Sequence, residues 1–181
     1  MKTRIFILLS FIAIAFSSCN LDGESNFTPR IDVFSSHYRQ TDTLAVYLTD
    51  EGGVQRLDTI SVGDTIVLGI YLNGVTNNLT NFQLNRSDTS VSKILLPIEA
   101  SMDTIFSKSE SNYSTGHFIF LPNTHVVYFP IRYIALKPTK TEYIQFALAS
   151  DANFKNGFGY NTTSLKLKIP AIEIEDSTTV N

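Results

Sequence analysis

From about Ile31 onward, apolar and polar residues alternate with a period of two. Leu44, Val46 and Leu48 alternate with Thr43, Ala45, Tyr47 and Thr49, and Ile66, Leu68, Ile70 and Leu72 with Thr65, Val67, Gly69 and Tyr71. Towards the C-terminus, Ile144, Phe146 and Leu148 form one apolar face, and Leu165, Leu167 and Ile169 form another beside Lys166 and Lys168. Successive side chains of a strand point to opposite faces, so each run predicts a strand with one face buried. Glu51-Gly52-Gly53, Val62-Gly63-Asp64, Pro122-Asn123-Thr124 and Lys155-Asn156-Gly157 carry turn chemistry between such runs. No stretch sustains a 3.6-residue period for three turns, and no internal repeat suggests a solenoid. The pattern predicts an all-β domain, folded as an antiparallel sandwich.

The N-terminus breaks that pattern. Lys2 and Arg4 precede an uncharged apolar run from Ile5 to Phe16, and Phe16-Ser17-Ser18 leads into Cys19, the chain's single cysteine. A run of about 12 residues is too short for the roughly 20 that a spanning helix needs, and the order is that of a cleaved export signal. Phe16-Ser17-Ser18-Cys19 resembles the lipobox of bacterial lipoproteins, of the type found in Bacteroidota, with Phe16 where leucine is usual. The resemblance implies that Cys19 is lipidated and becomes the mature N-terminus, held in the outer membrane by several acyl chains such as palmitate. One chain alone binds only reversibly, whereas several together hold permanently.

Asn20-Leu21-Asp22-Gly23-Glu24-Ser25-Asn26 has no hydrophobic period and predicts a flexible tether. Its acids, split by Gly23, resemble the surface-export signal of Bacteroidota lipoproteins, which implies the cell surface, with the periplasmic face as the alternative. The expected organisation is a signal peptide over residues 1–18, a lipidated cysteine and tether over 19–30, the sandwich over 31–170 and an acidic tail over 171–181. In that tail, Ile172 and Ile174 are placed to extend an edge strand.

Composition narrows the partners. Signal cleavage removes Lys2 and Arg4 from 14 basic residues and none of the 17 acidic ones, so the mature chain is more acidic than the net −3 of the whole. Nucleic acid and anionic lipid both need a basic footprint, and none is present. With no second cysteine the core must hold by packing alone. Thirteen Phe and eight Tyr, with no Trp, suit β-structure.

Two passages sharpen the fold. Thr59 to Leu68, with Val62-Gly63-Asp64 ahead of an alternating run, resembles the entry into an early strand of bacterial immunoglobulin-like domains. Tyr143 to Ala152 resembles the penultimate strand of immunoglobulin-like or Calx-beta-like domains, which a loop and a final strand follow. The resemblance implies an immunoglobulin-like sandwich without the tryptophan and disulfide of antibody domains.

Candidate chemistry is sparse. Asp42-Thr43-Leu44, Asp58-Thr59-Ile60, Asp64-Thr65-Ile66, Asp103-Thr104-Ile105 and Asp176-Ser177-Thr178 resemble the O-glycosylation acceptor motif of exported Bacteroidota proteins. That makes Thr43, Thr59, Thr65, Thr104 and Ser177 candidate acceptors. The same tripeptides also suit a plain turn-to-strand junction, in which Asp ends the turn and Thr opens the strand. His37, His117 and His125 suggest no metal site: a hairpin at Pro122-Asn123 separates His117 from His125 by about 10 Å. Lys155 occupies the fifth position of the Asp151–Gly157 loop, where calcium needs an oxygen, and so excludes an EF-hand; the Calx-beta-like resemblance leaves a looser inter-strand calcium site as the alternative.

Phe154, Phe158 and Tyr160 sit among glycines and asparagines in the same loop, and are candidates for contact with a glycan or protein partner or, alternatively, for plugging the end of the core. No nucleophile elbow, mature thiol or phosphate loop is present, so no catalytic residue, metal or cofactor is expected. The sequence points to a non-enzymatic, lipid-anchored cell-envelope protein with a binding or structural role, such as an accessory module of an outer-membrane system. The alternative is a fimbrial or adhesin component that assembles by strand addition, with Arg30 and Arg39 as the nearest processing sites.

Overall fold

The computed structural model describes residues 26–38, 43–49, 53–154 and 159–173. In chain order the strands are β1 (Arg30–His37), β2 (Val46–Leu48), β3 (Val54–Leu57), β4 (Ile60–Ser61), β5 (Thr65–Asn73), β6 (Leu79–Arg86) and β7 (Ser92–Leu95). After a single helical turn, α1 (Glu99–Met102), and a 3-10 turn (Tyr113–Thr115) come β8 (His117–Ile119), β9 (Val126–Ala135), β10 (Tyr143–Ser150), β11 (Thr162–Lys168) and β12 (Ala171–Ile172). They form a four-stranded sheet in the order β1-β5-β9-β7 and a six-stranded sheet in the order β2-β3-β11-β10-β6-β8, with β4 and β12 as a separate pair. The fold is the expected all-β sandwich.

Alternation sorts the side chains as the sequence predicts. Ile66, Leu68, Ile70 and Leu72 of β5 are fully buried, as are Ile144 and Phe146 of β10 and Leu167 of β11. β9 adds Val127, Phe129, Ile131, Tyr133 and Ala135, an alternating set on its inner face. The layers meet in a cluster of aromatic rings. Phe82 of β6 stacks on Phe146 at 6.2 Å and meets Phe129 of the opposite sheet edge-on at 6.0 Å. Phe106 and Phe118 reach the same Phe129 ring at 5.3 and 5.4 Å. Such ring pairs add about 0.5–1.5 kcal/mol each beyond the area they bury.

Three expectations are corrected. Leu48 does not share a buried face with Leu44 and Val46: it is 74% exposed, because β2 is a short edge strand that runs out past the core. The hairpin expected at Pro122-Asn123 is absent. β8 pairs with β6 and β9 with β5, so this turn carries the chain from one sheet to the other. The sandwich is not wholly antiparallel, since β3 runs parallel to β11 and β4 parallel to β12. Past Pro170, Ile172 extends a strand as expected: β12 pairs Ala171 with Ile60 and Ile172 with Ser61, while Ile174 and the rest of the expected tail lie outside the described residues.

Pairing register defines two ends. Arg30 lies opposite Asn73 and Asn73 opposite Val126, and in the other sheet Ser150 lies opposite Leu79 and Ala149 opposite Thr162. The chain therefore enters from Asn26 at the end that carries the β5–β6, β8–β9 and β10–β11 connections. The β4–β5, β6–β7 and β9–β10 connections lie at the far end.

Candidate functional site

Three places on the sandwich carry chemistry. At the entry end, the N-terminal segment is bound to the loops around it. Asn26 accepts from Asn153 N at 3.1 Å through its side-chain oxygen and donates its amide to Asn153 O. Phe27 N donates to Asn77 Oδ1, and Tyr160 N donates to Thr28 Oγ1, both at 3.3 Å. Asn78 donates to both carboxylate oxygens of Asp151, from its backbone at 2.8 Å and its side chain at 2.7 Å. The Asp151 carboxylate thus ties two loops together. Among the described residues, no three His, Cys, Asp or Glu side chains gather into a metal-binding group.

The aromatic residues of the β10–β11 loop have different surroundings. Phe154 is half-buried and lies so close over Gly159 that a β-carbon there would collide with its ring. Tyr160 is 75% exposed. Phe158 lies outside the described residues, as do Cys19, Arg39 and Ser177.

A groove of about 290 Å³ opens on one flank, where Ile94 and Leu96 face Leu84, Asn85, Arg86 and Tyr113. Gly116 closes the 3-10 turn beside it with φ of 70°. Tyr113 donates to Asp103 Oδ1 at 2.9 Å, and its hydroxyl pKa is pushed up to about 12, by burial first and then by that carboxylate. Sequence patterning does not reveal this groove, because its walls, from Leu84 to Leu96 and from Tyr113 to Gly116, are brought together by the path of the chain and not by any strand period.

Arg86 links the groove to a buried polar network that the sequence reading missed. Glu142, at 2% exposure, takes Ser92 Oγ on one carboxylate oxygen at 2.5 Å and Tyr133 Oη on the other at 2.8 Å. Arg86 donates to Ser92 O at 2.8 Å. Burial holds the Glu142 carboxyl above the usual carboxylate range, although the hydroxyls and Arg86 oppose that shift. Burial likewise raises the Tyr133 phenol. Both Ser92 and Glu142 are closed off from solvent, so the network braces β7 and β9 against the start of β10 and no substrate reaches it.

The histidines are dispersed. His37 Nε2 lies 3.8 Å from Asp64 Oδ2, and His125 Nδ1 lies 3.1 Å from Asn77 O, while His117 is half-buried on β8. Of the candidate acceptors, Thr43, Thr59 and Thr104 are exposed, and Thr65 is half-buried in β5. Asp58 and Asp64 of these motifs have structural roles. Asp58 accepts from Ala45 N and Tyr47 Oη, and Asp64 accepts from Ser61 N across the Val62-Gly63 turn. Among the described residues, no helix is long and apolar enough to cross a membrane.

Compared with known proteins, the chain matches no family model and no curated protein.

Proposed function

We propose that this chain is a lipid-anchored, non-enzymatic protein of the bacterial outer membrane whose sandwich serves as a binding or structural module for a glycan or an envelope protein. The observation that carries the reading is the order of the N-terminus: a basic start, a short apolar run and Cys19 after two serines. It gains support from the place where the chain enters the fold. Asn26 joins the sandwich only seven positions after Cys19, with a polar, acidic stretch between them.

The strand order supports an immunoglobulin-like form of the sandwich. β1-β5-β9-β7 facing β6, β10 and β11 follows the A-B-E-D and C-F-G arrangement. β8 departs from it, since it intervenes between β7 and β9 and joins the other sheet beyond β6. The groove beside Arg86, Asn85 and Tyr113 offers a guanidinium, an amide and a ring to a polar ligand. Its contribution is tested by isothermal titration of envelope glycans against the protein and its Arg86→Ala variant. Binding that is unchanged in the variant removes the groove from the proposal. Glycosylation at Thr43, Thr59 or Thr104 is tested by intact mass, and a mass equal to the lipidated polypeptide alone rules it out.

A further inference from the structure

We infer that the entry end of the sandwich rests on the lipid surface itself, with Phe27, Val75, Val126 and Tyr160 as its contact residues. The inference rests on the lipid anchor at Cys19 proposed above. Three observations carry it beyond that reading.

The first is reach. Residues Asn20 to Asn26 span at most about 25 Å when fully extended, so the end that receives them is kept near the bilayer. The second is the chemistry exposed there. Phe27, Val75, Val126 and Tyr160 are all exposed, and backbone contacts bring the segments that carry them to the same end, with Val126 on the outer face of β9. Phe27 N bonds Asn77, Val75 N bonds Asn73 Oδ1, Val126 lies opposite Asn73, and Tyr160 N bonds Thr28. Val75 holds its exposed apolar side chain at φ of 63°, a conformation that β-branched residues rarely adopt and that glycine or asparagine would adopt more easily. Aromatic and aliphatic side chains of this kind favour the headgroup level of a membrane.

The third observation is charge. Over the described entry-end segments 26–30, 73–79, 120–126, 150–154 and 159–162, the only fixed charges are Arg30 and Asp151, and the remainder of the β10–β11 loop adds one more by sequence, Lys155. The Asp151 carboxylate is taken up by Asn78. Far-end segments are richly charged, with Asp58, Asp64, Arg86, Asp88, Lys93, Lys137 and Lys140. A charged end approaches a low-dielectric surface at a desolvation cost that a nearly uncharged one avoids.

The chain has no tryptophan, so a single substituted one reports its own site. Full-length lipidated protein carrying Phe27→Trp, Tyr160→Trp or, as the far-end control, Leu136→Trp is reconstituted into phosphatidylcholine vesicles with and without brominated acyl chains. Emission from Phe27→Trp and Tyr160→Trp is expected to fall about twofold in brominated vesicles and to shift to the blue, as for residues at an interface. Leu136→Trp is expected to be unaffected. A protein that floats with the vesicles, but whose two entry-end reporters are quenched no more than Leu136→Trp, overturns the contact and leaves the anchor standing. A protein that fails to float overturns both.

Discussion

Asn26 and Asn153, 127 residues apart, bind each other through side chain and backbone, with the Asn26 oxygen 3.1 Å from Asn153 N. That pairing fixes the point at which the chain enters the fold against the loop between β10 and β11. It makes Asn26 a structural part of the sandwich end. Replacing Asn26 by Ala removes both bonds. Exposed hydrogen bonds contribute about 0.5–1.5 kcal/mol each, so a loss of about 1 kcal/mol is expected in urea denaturation. Amide exchange at Asn153 and Tyr160 is expected to quicken, while exchange in β5 stays at the global rate.

Phe129 and Phe34 make a second contrast, since both are phenylalanines of the four-stranded sheet. Phe129 is buried where three rings from outside its sheet converge, and Phe34 is 63% exposed on the outer face. Phe129→Ala is expected to cost about 3–5 kcal/mol through lost burial and the cavity left behind. Phe34→Ala is expected to stay within about 0.5 kcal/mol. Paired denaturation curves check both.

Gly116 is required by its surroundings as well as by its backbone. Its φ is 70°, and a β-carbon would run into the Leu84 carbonyl. Gly53 has φ of 79° with open space around it. Gly53→Ala should therefore cost about 1 kcal/mol from conformation alone. Gly116→Ala should cost about twice that or more, and should disturb the groove beside Tyr113.

Glu142 gives the fold a pH signature. Its carboxyl is raised in the folded state by burial, so folding favours the protonated form. The stability it contributes is complete below its ordinary value of 4.5 and is lost as pH rises through the higher folded value. The difference in urea midpoint between the native protein and Glu142→Gln should change across that window and be flat on either side of it. Glu142→Ala leaves the Ser92 and Tyr133 hydroxyls buried without their acceptor, and about 2–4 kcal/mol should be lost at every pH.

The period-two pattern makes the strands legible because one face of each is buried, and the register of β5 and β10 follows from it directly. Pairing across the chain is harder to read. Nothing local distinguishes a turn that closes a hairpin from one that crosses between sheets, so the Pro122-Asn123 turn suggested the wrong partner for β9. Leu48 misleads for a related reason, since alternation reports which face a residue takes but not whether the core extends that far. Tyr133 is legible as a buried residue, being in step with Phe129 and Ile131. Its acceptor is not, because Glu142 stands between Thr141 and Tyr143 with no local sign that it is enclosed. The aromatic loop was readable as a cluster, but its position beside the chain's point of entry emerges only from the strand order.

The most direct measurement is mass spectrometry of the N-terminal peptide of the protein extracted from its native membrane. The account predicts a peptide that begins at Cys19 and carries a diacylglyceryl thioether and a further acyl chain, together with loss of membrane association in Cys19→Ser. A mature chain that begins elsewhere, or an unmodified Cys19 on a protein that still fractionates with the membrane, would contradict it.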